Sequence, residues 1–156
     1  MSNGTTAGNT GSFPALSYAD GISAKGEDVI LLAGRILLGA IYVQSGWRKL
    51  MDLTAFVQTM PRRGLPEFLG YLAAPVEFLG GLCMVFGLAT RYTSLVMFLF
   101  LIVATFSSHR FWAAEAAQYA NQTSHFWKNV SMMGGTALLF VTGAGRYAID
   151  RVLMKK

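Results

Sequence analysis

The sequence predicts an all-α membrane protein: four transmembrane helices in a compact antiparallel bundle. Three observations predict it. The 156-residue chain is 53% hydrophobic and only 13% charged, against about 25% charged in an ordinary soluble domain. Its mean hydropathy is positive, at +0.43. Residues 29–47, 67–89, 92–109 and 125–143 each approach the ~20 apolar residues that a bilayer-spanning helix needs. In lipid every backbone N–H and C=O must be satisfied within the protein, which leaves helices or closed barrels. These runs do not alternate apolar with polar as barrel strands do.

Residues 1–28 are rich in Gly, Ser, Thr and Asn and read as a flexible polar tail. A basic start followed by an apolar run is missing, so the segment does not read as a secretory signal. The domain proper is expected over 29–150, with a basic C-terminal tail over 151–156. After the first span, "RKLMDLTAFVQTMPRRGLP" offers a short interfacial helix. The second and third spans are joined by little more than "ATRY", which forces an antiparallel hairpin. Before the fourth span, Phe111, Trp112 and Tyr119 suit the headgroup zone. Gly39 and Gly46, Gly80 and Gly87, and Gly134 with Gly135 are placed to let helices approach closely.

Four spans put both termini on one face, here face A, and the two long connections on face B. The positive-inside rule does not orient the chain. Face A carries Lys25, Arg91, Arg146, Arg151, Lys155 and Lys156; face B carries Arg48, Lys49, Arg62, Arg63, Arg110 and Lys128. Face A is taken as cytoplasmic because several face-B charges have a place in a candidate site. The pI near 9.6 is explained by Lys and Arg meeting anionic lipid at the membrane edges, not by nucleic acid. The lone Cys83 excludes an internal disulfide, and no Cys or His spacing suits a metal.

Charges at lipid depth carry the chemistry. Glu77 lies ten residues into the second span, and an ionised group there normally faces the interior with a partner. Arg35, six residues into the first span, stays protonated and needs a counter-ion. An Arg35–Glu77 pair is expected, either as a functional element or as a device that fixes helix register. A second constellation gathers at face B: Lys49 from the first span, His109 from the third, and Lys128 and Asn129 from the fourth, with His125 beside them. Such groups donate to a quinone carbonyl, and His also carries a proton. Snorkelling toward lipid phosphate is the plainer use of either lysine. Two histidines also raise bis-histidine haem ligation, but both sit at segment ends, which disfavours haem.

The stretches "GRILLGAIYVQSGWRKL", "RRGLP", "APVEFLGGLCMVFGLATR", "ATFSSHRFW", "FWKNVSMMGG" and "GAGRYAID" together resemble the DoxX family of small four-helix bacterial membrane proteins. They run in the family's order from about residue 33 to 150. The resemblance implies Arg35, Gly46, Lys49, Glu77, Gly81, Arg91, His109, Lys128, Asn129, Gly145, Arg146 and Asp150 as motif residues. It also implies an inner-membrane location and a link to redox systems. The family name comes from an archaeal thiosulfate:quinone oxidoreductase with a related membrane subunit. Other members are tied to thiol-redox and oxidative-stress complexes or to maturation of periplasmic redox enzymes.

Three functions follow as expectations. The first is a membrane subunit of a quinone-linked or thiol-redox oxidoreductase, a component and not a self-contained enzyme. No flavin, metal or iron–sulfur motif is present in the sequence, so a quinone or a partner subunit is expected to carry any electrons. The second is a non-catalytic anchor that stabilises a larger complex. The third is a small proton or solute pathway through Glu77.

Overall fold

The computed structural model describes residues 14–153, and the described residues are helical with no strand. Helix α1 spans Pro14–Met51, α2 Leu53–Gln58, α3 Phe68–Phe86, α4 Thr90–Ser108, α5 Ala116–Thr142 and α6 Ile149–Leu153. Short 3₁₀ turns occupy Pro61–Arg63 and Phe111–Ala113.

Three helical segments are long and apolar enough to cross a membrane: Ser23–Met51, Phe68–Phe86 and Thr90–Ala113. Helix α5 has 27 residues, or about 40 Å, more than the ~30 Å hydrocarbon core. Its first half, "AAQYANQTSHFWKN", is too polar to place it with the other three.

The long helices pack antiparallel around a ring, and the contacts fix the register. In α1 and α3, Gly39 meets Gly81 and Val85 while Gly46 meets Phe78. Gly80 of α3 faces Met97 of α4. Phe106 of α4 meets Phe126 of α5 edge-on at 5.7 Å. Gly135 of α5 faces Leu38 of α1, and Asp28 reaches Arg146. In every pair one number rises as the other falls. The tightest seam is α1 against α3. A Cβ on Gly46 would stand 2.5 Å from the Phe78 nitrogen, and one on Gly81 2.7 Å from the Val43 nitrogen. Only a residue without a side chain permits backbones that close. Gly134, by contrast, faces open space and serves no such seam.

Each long helix buries one stripe at the spacing of helical turns. The stripes are Arg35, Gly39, Tyr42 and Gly46 in α1; Gly70, Ala74, Glu77, Gly81 and Met84 in α3; Thr90, Ser94, Met97, Leu101 and Thr105 in α4; and Asn129, Met132, Thr136 and Leu139 in α5. The outward faces carry Leu37, Leu79, Leu99 and Leu138. The inward stripes hold the charged, hydroxyl and glycine positions together with a core of methionine, leucine and Tyr42, while further leucines face outward as lipid requires.

Several sequence boundaries need correction. Helix α1 begins at Pro14, where proline's fixed φ suits a first helical turn. Residues 14–28, expected within the tail, are therefore helical; residues 1–13 lie outside the described set. Helix α5 starts at Ala116, nine positions before the expected 125. Residues 151–153 belong to α6 and not to a free tail, and residues 154–156 lie outside the described set. The short helix expected in the first long connection is α2, capped by Asp52, whose carboxylate accepts the Ala55 N–H at 3.1 Å.

Candidate functional site

The expected Arg35–Glu77 pair does not form. Glu77 is ion-paired with Lys49 instead, and Arg35 donates to the Tyr147 carbonyl. The reason is depth. Opposite Arg35 stands Gly87, whose α-carbon leaves room only for the guanidinium. Glu77 is ten positions further along α3, about 15 Å away along the axis. Because α1 extends well past the α3–α4 turn, Arg35 sits level with that turn. From the Gly46–Phe78 contact, Lys49 lies only two residues from the level of Glu77, a gap of about 3 Å that a lysine stem covers. Both charges are deeply buried, Arg35 at 1% exposure and Glu77 at 5%, and each is met locally by what lies beside it.

The two ends of the molecule are built differently. At face A the residues "GAGRYAID" fold back over the α3–α4 turn. Asp150 accepts the N–H groups of Ala89 at 2.5 Å and Thr90 at 2.8 Å, and its own N–H donates to the Gly87 carbonyl at 2.9 Å. A carboxylate at the start of α4 is favoured by the exposed amides there. Ala89 holds φ at +47°, a left-handed conformation that costs an alanine on the order of 1 kcal/mol; the Asp150 bonds hold it there. Gly145, at φ +72°, turns the chain so that the Arg146 N–H reaches Asp28 at 2.7 Å. The motif residues Asp150, Gly145 and Arg146 thus act through the backbone, Gly46 and Gly81 through close packing, and Arg91 lies against Gly143.

At face B, side chains face each other. The rings of His109 and His125 stack with centroids 5.1 Å apart and planes 21° apart. His109 Nδ1 lies 3.0 Å from Gln122 Oε1, and His125 Nδ1 lies 3.4 Å from Lys128 Nζ. The stack is positioned by an aromatic cluster centred on Phe126. Its ring meets Phe106, Phe111, Trp112 and Trp127 at 5.1–6.0 Å, all edge-on, the preferred geometry for such rings. Arg63, from the connection after α2, donates to Ser108 Oγ at 2.8 Å. Its guanidinium and the Lys49 ammonium lie over the Phe56 ring, at 5.5 and 5.3 Å from the centroid, a cation–π arrangement for both. Burial lowers the Arg63 pKa from its ordinary value, and the Glu77 charge acts in the opposite sense. Arg63 therefore stands between the Lys49–Glu77 pair and the histidines.

The predicted set is thus divided. His109 and Lys128 come together around His125; Lys49 is engaged with Glu77; Asn129 is buried on the inward stripe while Lys128 is exposed on the next face of α5. The sequence reading missed Arg63, Gln122 and Ser108. Arg63 carried one signal, a basic pair in a connection otherwise apolar and adjacent to Pro61 and Gly64. Among the described residues no group of three or more His, Cys, Asp or Glu is arranged to hold a metal ion.

With the proton on Nδ1 donated to Gln122, His109 keeps Nε2 as a proton acceptor. Protonated, it becomes a donor on the same edge. Lys128 lies against the stacked partner ring of His125. Such a group is able to hold an oxygen that gains or loses charge and to exchange a proton with it.

Comparison with known proteins supplies the context. The model of the DoxX family matches residues 30–110. The chain is 38% identical over 132 residues to the inner membrane protein YqjF of Escherichia coli K12, covering 85% of this chain and 98% of that one. It is 29% identical to the inner membrane protein YphA of the same organism, over 87% of this chain and 97% of the relative. CatD of Bacillus subtilis, whose name marks it as a proposed oxidoreductase, is 34% identical over 80 residues, 51% of this chain and 60% of that one. No solved structure matches the chain.

Proposed function

The chain belongs to the DoxX family, and from that premise we propose that it is an inner-membrane subunit of a quinone-linked or thiol-redox oxidoreductase system. Helix α5 is the fourth span, both termini lie on face A, and the face-B cluster meets the quinone head. The stacked His109–His125 pair beside Lys128 is the observation that carries this reading. The names of the relatives support the location, and that of CatD supports the redox class.

The residues fit such a ligand. A quinone accepts two electrons and two protons, and its carbonyl oxygens ask for hydrogen-bond donors. Protonated His109 and the Lys128 ammonium are donors at one edge, and Phe106 with Trp112 offers an apolar wall. Glu77 and Lys49, packed beneath Phe56 and Arg63, hold the site's floor. Electrons come from a partner protein or a soluble donor.

The test is the quinone content of protein purified in mild detergent, measured by extraction and chromatography. Wild type should carry quinone and His109→Ala should lose most of it; equal content in both, or none in either, removes this site. The competing reading, a non-catalytic anchor, is favoured by the motif residues that act through backbone and packing. It predicts co-purification with partner subunits that is unaffected by His109→Ala and unaccompanied by quinone.

A further inference from the structure

We propose that the face-A end binds one anionic glycerophospholipid, with the phosphate held among Arg91, Arg146 and Arg151 and an acyl chain lying in the groove between α1 and α5. This inference is independent of the quinone reading.

A cavity of about 1110 Å³ opens among Asp28 of α1, the start of α4 and the segment joining α5 to α6. Arg91, Arg146 and Arg151 line it, and none of their side chains has a hydrogen-bond or ion-pair partner among the described residues. The carboxylates in the same wall are already used. Asp150 accepts the Ala89 and Thr90 amides, and Asp28 accepts the Arg146 amide. Three arginines with unspent donors facing one cavity at a membrane edge favour a phosphate, which takes several N–H groups at once.

A second feature sets the class of ligand. A groove of about 530 Å³ runs down the outside of α1 and α5, lined by aliphatic side chains and sharing Thr142 with the cavity. It extends from Ile30 to Ile41, eleven residues or about 16 Å. That is about one leaflet of a ~30 Å hydrocarbon core. Gly34 lies in the groove, and a Cβ there would meet nothing within 4 Å. Arg35 also borders it, 1% exposed, with Nε and Nη1 lacking a hydrogen-bond partner among the described residues. A basic head region continuous with an apolar slot one leaflet long matches an amphiphile; a free phosphate has no use for the slot. Basic pockets at helix ends are where anionic headgroups bind.

The experiment is native mass spectrometry of the delipidated full chain in detergent, titrated with phosphatidylglycerol, phosphatidylcholine or inorganic phosphate. Thermal unfolding of the same samples is followed in parallel. One phosphatidylglycerol should bind in preference to phosphatidylcholine and raise the unfolding midpoint. Arg91→Gln, Arg146→Gln and Arg151→Gln should each weaken that preference about fivefold, whereas Arg62→Gln on the other face should not. Gly34→Leu, which fills open space and leaves the arginines intact, should lower phosphatidylglycerol binding on its own. Equal binding of the two lipids, equal protection by inorganic phosphate alone, or an Arg62→Gln loss as large as that of Arg91→Gln each overturns the proposal.

Discussion

Arg35 and Lys49 occupy the same helix, fourteen positions apart, and each is a cation set among apolar side chains. They are stabilised in opposite ways. Lys49 meets a full charge, the Glu77 carboxylate. Arg35 meets the Tyr147 carbonyl, with the Asp150 carboxylate near enough to act on it through space. One end of the bundle is thus held by side chain to side chain, the other by side chain to backbone. The difference teaches that a buried charge in this protein is answered by whatever the register places at its own depth. It also separates the ends by role. At face A Asp150 and Gly145 are spent on the backbone, while the face-B histidines and Lys128 keep donors and acceptors facing one another.

Cutting the face-B pair should have the largest effect. Glu77→Ala leaves the Lys49 ammonium without its counter-ion. Losing one partner of a buried pair costs 3–5 kcal/mol; Lys49 keeps 26% side-chain exposure, so about 3 kcal/mol is expected in detergent unfolding. The double variant Lys49→Met with Glu77→Leu should recover most of that loss. A double variant no more stable than Glu77→Ala would mean that the carboxylate acts through contacts other than Lys49.

The face-A end should respond less. Asp150→Ala removes the acceptor for two amides at the start of α4, worth about 1–2 kcal/mol. It should also quicken hydrogen exchange at Ala89 and Thr90 while leaving His109 and Lys128 unaffected. Disturbance of both ends by this one change would show that they are mechanically coupled. The smallest effect belongs to Ser108→Ala, which removes the Arg63 acceptor at 2.8 Å. A loss within about 1 kcal/mol is expected, together with an altered environment for Phe56, readable by NMR of its ring.

Much of this arrangement was legible in the sequence, because helix periodicity and inward-turning charges are local rules. The inward turn of Glu77 and the close approach at Gly39, Gly46 and Gly80 follow from residue type and spacing. The partners did not follow, because they depend on the relative depth of two helices. Estimating depth from where an apolar run starts placed Arg35 about 9 Å inside the span. The structure sets Arg35 opposite Gly87, ten positions from Glu77, because α1 extends past the α3–α4 turn, and neither apolar run alone records the offset between two helices. Arg63 escaped for a related reason: a residue in a connection has no periodicity to reveal which way it faces. The backbone roles of Asp150 and Gly145 were equally hidden, since a carboxylate serving amides looks like any other charge until the fold brings it to a helix start.

The left-handed Ala89 has a consequence for how the chain reaches its final form. The turn between α3 and α4 is synthesised some sixty residues before Asp150, the group that holds it. Until Asp150 emerges, that hairpin has no latch and an alanine in a disfavoured geometry. The segment carrying Asp150 therefore acts as a closing step of assembly, and a chain cut short before it would keep α1 to α5 but leave the turn between α3 and α4 unfastened.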